Sequence, residues 1–118
     1  MSDMDETTSE KTTIAPEVLV TIARLTTLGV EGISRLASMP SDVNRLFNRG
    51  TSDGVKITVA ENIVNVDLFV ILKQDYNARE VSRTIQTKVS RAISEMVGMD
   101  VGKINIHIED IDFNVDKT

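Results

Sequence analysis

His107 is the only histidine in the sequence, and cysteine is absent. It lies between Lys103 and Glu109 on an alternating run, with no second imidazole or thiolate to share a metal ion and no serine beside it to act as a nucleophile. A lone histidine on a strand needs partners before it forms a site. Asp67 and Glu109 are of the right type for acid–base work if neighbouring strands bring them together. A wet, open sheet face offers neither the desolvation nor the charge pairing that retunes a carboxyl group, so cross-strand pairing with Lys56 or Lys103 is the expected use of these charges. The lack of cysteine removes disulfides, thiolate nucleophiles and cysteine-held metals. No catalytic, metal or cofactor residues are expected, and the chain reads as a binding or assembly module.

Two other groups suit contact with a partner. Phe69 and Ile71 share strand parity with Asn65 and Asp67, so they point away from the face that Leu68 and Val70 bury. An apolar pair on a polar face invites a partner, unless the strand ends there or the segment 34–54 folds across it. Arg35, Arg45 and Arg49 cluster in sequence around a short apolar stretch with Leu46 and Phe47, a surface suited to an anionic lipid or an acidic partner.

The elements that must position these residues follow from periodicity. The chain has 118 residues, 41% of them hydrophobic, with only 3% aromatic and no tryptophan, which fits one domain with an aliphatic core. Residues 1–11, with Asp3, Asp5, Glu6 and Glu10 among serine and threonine, have little to bury and read as a disordered acidic tail. A single domain is expected over 12–115. Thr12 to Ala15 is assigned a short edge strand. Pro16 then opens a helix to about Leu28, with Val18, Leu19, Ile22, Ala23 and Leu25 on its apolar arc and Ile14 and Leu19 as a staple. Gly29 and Gly32 end it in the left-handed conformation that glycine tolerates. Ser41-Asp42 caps a turn or two of helix carrying Val43, Leu46 and Phe47. Val55, Ile57 and Val59, then Val64, Val66, Leu68 and Val70, alternate on either side of Glu61-Asn62 and spell a β-hairpin. Asn77 with Glu80 three residues on starts a second helix that Gly98 stops, its core face running through Ala78, Val81, Ile85, Val89, Ala92, Ile93 and Met96. Val101, Ile104, Ile106 and Ile108 form the last strand, with an exposed edge near Ile104, as near Thr12, open to strand addition. The fold class expected is α+β: a two-layer sandwich, a mixed sheet of three to four strands in the order short β, α, β, β, α, β, and both helices on one face. No apolar run approaches the roughly 18 residues of a membrane span, and the opening MSDMDETTSE lacks the basic and apolar parts of a signal peptide, so a cytoplasmic protein is expected.

The segments Ile14-Ala-Pro-Glu-Val18, Gly29-Val-Glu-Gly-Ile33 and Gly54-Val-Lys-Ile-Thr58 resemble the bacterial alkaline-shock and general-stress (Asp-type and Gls-type) envelope stress response family. So do Tyr76-Asn-Ala-Arg-Glu-Val81, Gln86-Thr-Lys-Val89 and Glu95-Met-Val-Gly-Met-Asp100. The resemblance implies a non-enzymatic scaffolding role, self-association, and recruitment to the membrane by an anchored protein partner rather than by insertion. The segment Ser38 to Arg49 departs from the family pattern. A small KH-like RNA-binding domain is the alternative, because Gly29-Val-Glu-Gly32 has the spacing of the KH loop. Against it stand Glu31 inside that loop and a net charge of −5, which repels a phosphate backbone, so no specific nucleic acid is expected.

Overall fold

A computed structural model describes residues 12–38, 51–52 and 54–114. Its elements are helix α1 (Pro16–Leu28), strands β1 (Ile33–Leu36), β2 (Thr51–Ser52), β3 (Val55–Ala60) and β4 (Ile63–Lys73), helix α2 (Ala78–Val97) and strand β5 (Asp100–Asp112). The architecture is the expected α+β one, with five strands in a single mixed sheet.

Strand β4 organises that sheet. Its even-numbered residues Val64, Val66, Leu68, Val70 and Leu72 are almost wholly buried and face both helices, so its period-2 pattern fixes which side carries the core. Strand β5 lies parallel to it along its full length, from Ile63↔Asp100 to Lys73↔Asp112. A parallel pair needs a long crossover, and α2 supplies it. The other edge of β4 is shared by two shorter antiparallel strands, β3 opposite Ile63–Leu68 and β1 opposite Val70–Leu72. They meet at Phe69, whose N–H donates to the Gly54 carbonyl while its own carbonyl accepts from Ala37 N–H. Gly54, at φ 79°, has no room for a side chain there: a Cβ would come within 2.6 Å of the Leu36 Cβ.

The strongest local signals are realised. Glu61 and Asn62 both have positive φ (53° and 66°), as a two-residue hairpin turn of the mirror type requires. The Asn77 side chain accepts from Glu80 N–H at 3.0 Å, and Gly98 ends α2 in the left-handed region. Val81, Ile85, Val89 and Ile93, spaced by four, bury one stripe of α2.

Other details differ. Thr12–Ala15 is not a strand; it leads into Pro16, and the extra strand follows α1 instead, as β1. Val18 and Leu25 are 44% and 57% exposed, while Val20 and Thr27 are buried, because α1 packs against α2 as well as the sheet and turns its buried arc toward both. Met96 overhangs the core at the end of α2 and is 69% exposed. Gly29 keeps right-handed dihedrals; Gly32, at φ 102°, makes the turn. The helical turn expected after Ser41 lies outside the described residues.

The outer edge of β5 is irregular. Extra residues bulge from it between the Val64 and Val66 partners and again between Ile108 and Asp110, and the Gln86 side chain donates to the Ile104 carbonyl at 3.0 Å. Bulges and side-chain caps of this kind blunt an edge against strand addition, contrary to the expectation for Ile104.

The Thr27 hydroxyl is buried without a hydrogen-bond partner among the described residues. A buried, unpaired hydroxyl costs about 1–3 kcal/mol relative to an apolar group of the same shape. Thr27→Val should therefore raise unfolding stability by about 1 kcal/mol in urea denaturation; a loss of stability would mean that the hydroxyl is satisfied.

Candidate functional site on the open face of the sheet

Both described helices pack on one face of the sheet, and among the described residues no helix lies on the other, which gives the odd-numbered side chains of β4 a surface of their own. Asn65, Asp67, Phe69, Ile71 and Lys73 are half-buried there. The parallel register sets Asp67 beside Asn105 and Phe69 beside His107. The rings of Phe69 and His107 stack with centroids 4.4 Å apart and 12° between planes. Asp67 Oδ1 lies 3.0 Å from His107 Nε2 and accepts from the Asn105 side-chain amide at 3.2 Å. Because a carboxylate only accepts, this geometry places the proton on Nε2, so the carboxylate orients the ring and the ring lies flat on Phe69. Lys56 stands directly across from Asp67 in the register with β3, but the side chains that Asp67 Oδ1 meets are Asn105 and His107 rather than the expected lysine. Glu109 falls at the bulge and is not joined to Asp67.

Toward the other end of the same face, Asp112 ties β5 to β1. Its Oδ2 accepts from Ser34 Oγ at 2.7 Å and from Arg35 Nη1 at 3.1 Å, and its Oδ1 accepts from Asn114 N–H at 3.0 Å. These contacts hold its carboxyl below the usual carboxylate range, the Ser34 hydroxyl first and the Asn114 amide next. Ile71 lies between, its register partners being Arg35 on one side and Asp110 on the other. The face thus has a flat apolar centre, Phe69, His107 and Ile71, bounded by fixed charges.

Of the residues singled out from sequence, Phe69, Ile71 and Arg35 come together on this face, and His107 joins them. Arg45 and Arg49 lie outside the described residues. Arg35 is ion-paired to Asp112. Ser34 and Asp112 escaped sequence reasoning: they are 78 residues apart, and the sole signal at Asp112 is its place on the polar side of an alternating strand. The Gly29-Val-Glu-Gly32 loop joins a helix to a strand, not two helices as in a KH domain. Gly32 packs on the Tyr76 ring and Val81, and the Tyr76 hydroxyl donates to the Glu31 carboxylate at 3.3 Å, whose negative charge raises the tyrosine pKa. That loop has a structural task. No group of three or more His, Asp or Glu among the described residues is disposed to hold a metal ion.

The chain matches the alkaline-shock (Asp-type) family, described as having a cell envelope-related function, over residues 4–113. Two proteins of Bacillus subtilis (strain 168) are similar to it. The uncharacterized protein YqhY is 25% identical over 114 residues, covering 95% of this chain and 84% of that protein. The uncharacterized protein YloU is 22% identical over 102 residues, covering 83% and 85%. Among solved structures, the zinc form of a MamM CTD variant and the copper form of the MamM CTD each superpose with a TM-score of 0.58 at 9% identity, covering 86% of this chain and 91% of theirs. At that identity the likeness is one of fold.

The depressed Asp112 pKa has a direct check. A carboxyl whose folded pKa lies below its unfolded value contributes stability that is present above the ordinary carboxylate range and is lost as the pH falls through the folded pKa. Ser34→Ala should move the Asp112 titration, followed by carboxyl NMR, up toward the ordinary value and start the acid loss of stability at higher pH. An unchanged titration would remove Ser34 as the main cause.

Proposed function

The chain belongs to the alkaline-shock (Asp-type) family, and from that premise we propose that it is a non-catalytic scaffolding module of the envelope stress response, self-associating through the open sheet face and brought to the membrane by an anchored protein partner. The observation that carries this reading is the Phe69–His107 stack with Ile71 beside it, on a face that no helix among the described residues covers. Half-buried apolar groups fixed on rigid strands and ringed by charge have the make-up of an interface centre with a polar rim. Around them Arg35–Asp112 and Asp67–His107 are already tied, so docking there adds little side-chain ordering cost. Among the described residues no helix is long and apolar enough to cross a membrane. A protein partner that spans the bilayer supplies the link to the envelope in this reading, and cytoplasmic location follows from it.

The test separates surface from core. Phe69→Ser with Ile71→Ser should leave the melting transition nearly in place while lowering self-association at least tenfold in sedimentation equilibrium. Leu68→Ala, on the opposite face of the same strand, should instead cost about 2–5 kcal/mol of stability. Unchanged association in the soluble double variant would sink the assignment of this face.

A further inference from the structure

At the end of the molecule that carries the β3–β4 turn, the start of α1 and the end of α2 come together over a groove of about 440 Å³, within the size range of ligand pockets. Ile14, Leu19, Val59, Val97 and Met99 give it an apolar lining. Val59 stays 45% exposed there, and Met96, next to that lining in the chain, is 69% exposed. Methionine adapts its shape to the apolar surface it meets, so the mouth can mould to a guest. The rim is acidic. Glu61 stands in the turn beside Asn62, which lines the groove, Asp100 follows Met99, and Glu95 lies in the last turn of α2; all three are exposed. Among the described residues no lysine or arginine lines the groove.

The two helix ends here differ in how their dipoles are compensated. Helix α1 begins with Glu17 in its first turn, an anion at the positive end, as helix stability favours. Helix α2 does the reverse: no basic residue occupies its last turn, and Glu95 adds negative charge to the negative end. Of its last four carbonyls, that of Ser94 is met by the Gly98 N–H at 3.0 Å, and the ones that follow belong to the turn that borders the groove. Glu95 is thus set against the stability of its own helix, and a cation supplied from outside would correct this.

That combination selects the guest. An anionic lipid surface, a nucleic acid or an acidic peptide would bring negative charge to a negative rim, and a second copy of this chain carries a net charge of −5. An apolar floor inside an acidic rim is complementary to a segment with apolar residues on one side and lysine or arginine on the other. We propose that the groove takes such a basic amphipathic segment of a partner protein, with apolar side chains entering against Ile14, Val59 and Met99 and cations meeting Glu61, Glu95, Asp100 and the carbonyl end of α2. This surface is separate from the open face of the sheet, so the proposal stands or falls independently of the role assigned to Phe69 and Ile71.

The full chain, isotope-labelled in its backbone amides and methionine methyl groups, is titrated by NMR with a synthetic amphipathic peptide of leucine and lysine, and with a counterpart carrying glutamate in place of lysine. The lysine peptide alone should bind, with shifts concentrated at Val59, Asn62, Met96, Gly98 and Met99. Glu95→Lys should weaken that binding about fivefold while leaving the melting temperature unchanged or higher, because a lysine there suits the helix dipole. Glu109→Lys makes the same change of net charge about 30 Å along β5 from Asp100 and should leave the affinity as it was. Equal weakening by the two substitutions overturns the proposal, since the peptide would then be answering net charge alone. Shifts centred on Phe69 and His107 overturn it, as do groove signals that move with the concentration of the chain by itself, which would place a second copy there.

Discussion

The alternation of side chains along β4 is the constraint from which the rest follows. Five residues of one parity, Val64 to Leu72, enter a core built with Leu19, Val20, Ile22 and Ala23 of α1 and Val81, Ile85, Val89 and Ile93 of α2. Each fully buried side chain of this kind is worth about 1.5–3 kcal/mol, so a shift of register by one residue would forfeit all five contributions together. The opposite parity is thereby committed to the open face. Phe69 and Asp67 owe their orientation to Leu68 and Val66, not to any preference of their own.

What the open face can do is set by what lies beside those odd residues, and that is a matter of register. The crossover through α2 returns the chain parallel to β4, in the alignment that lays His107 on Phe69 and gives its Nε2 to Asp67. At the far end, Ser34, Arg35 and Asp112 stitch the first strand to the last across β4. Aromatic stacking and tied charges make this a stiff surface, whose side chains are held before any partner arrives.

Local signals are legible in the sequence, and long-range ones are not. The Asn77–Glu80 cap, the Glu61-Asn62 turn and the parity of β4 each depend on residues a few positions apart, and all three are realised. Strand β1 escapes sequence reading because Ile33–Leu36 is four residues long, with a register shift between Ile33 and Arg35, and acquires its extended form from a partner near Ile71. Val18 and Leu25 are misplaced by periodicity for a related reason: the helical period defines an arc, but only the position of α2 decides which edge of that arc is covered. Of the candidate site, the outward orientation of Phe69, Ile71 and His107 can be read from parity alone, whereas the stack and the Ser34–Asp112 strap cannot.

The irregular outer edge of β5 bears on how such a module can assemble. A long, regular edge would offer each arriving copy the same row of backbone groups it had just consumed, and growth would have no natural end. With bulges on either side of Ile104–Ile108 and a glutamine on the Ile104 carbonyl, that route is obstructed. In the proposed mode of assembly, contacts made through a sheet face are instead used up once both partners meet, which favours closed assemblies of fixed stoichiometry over fibres.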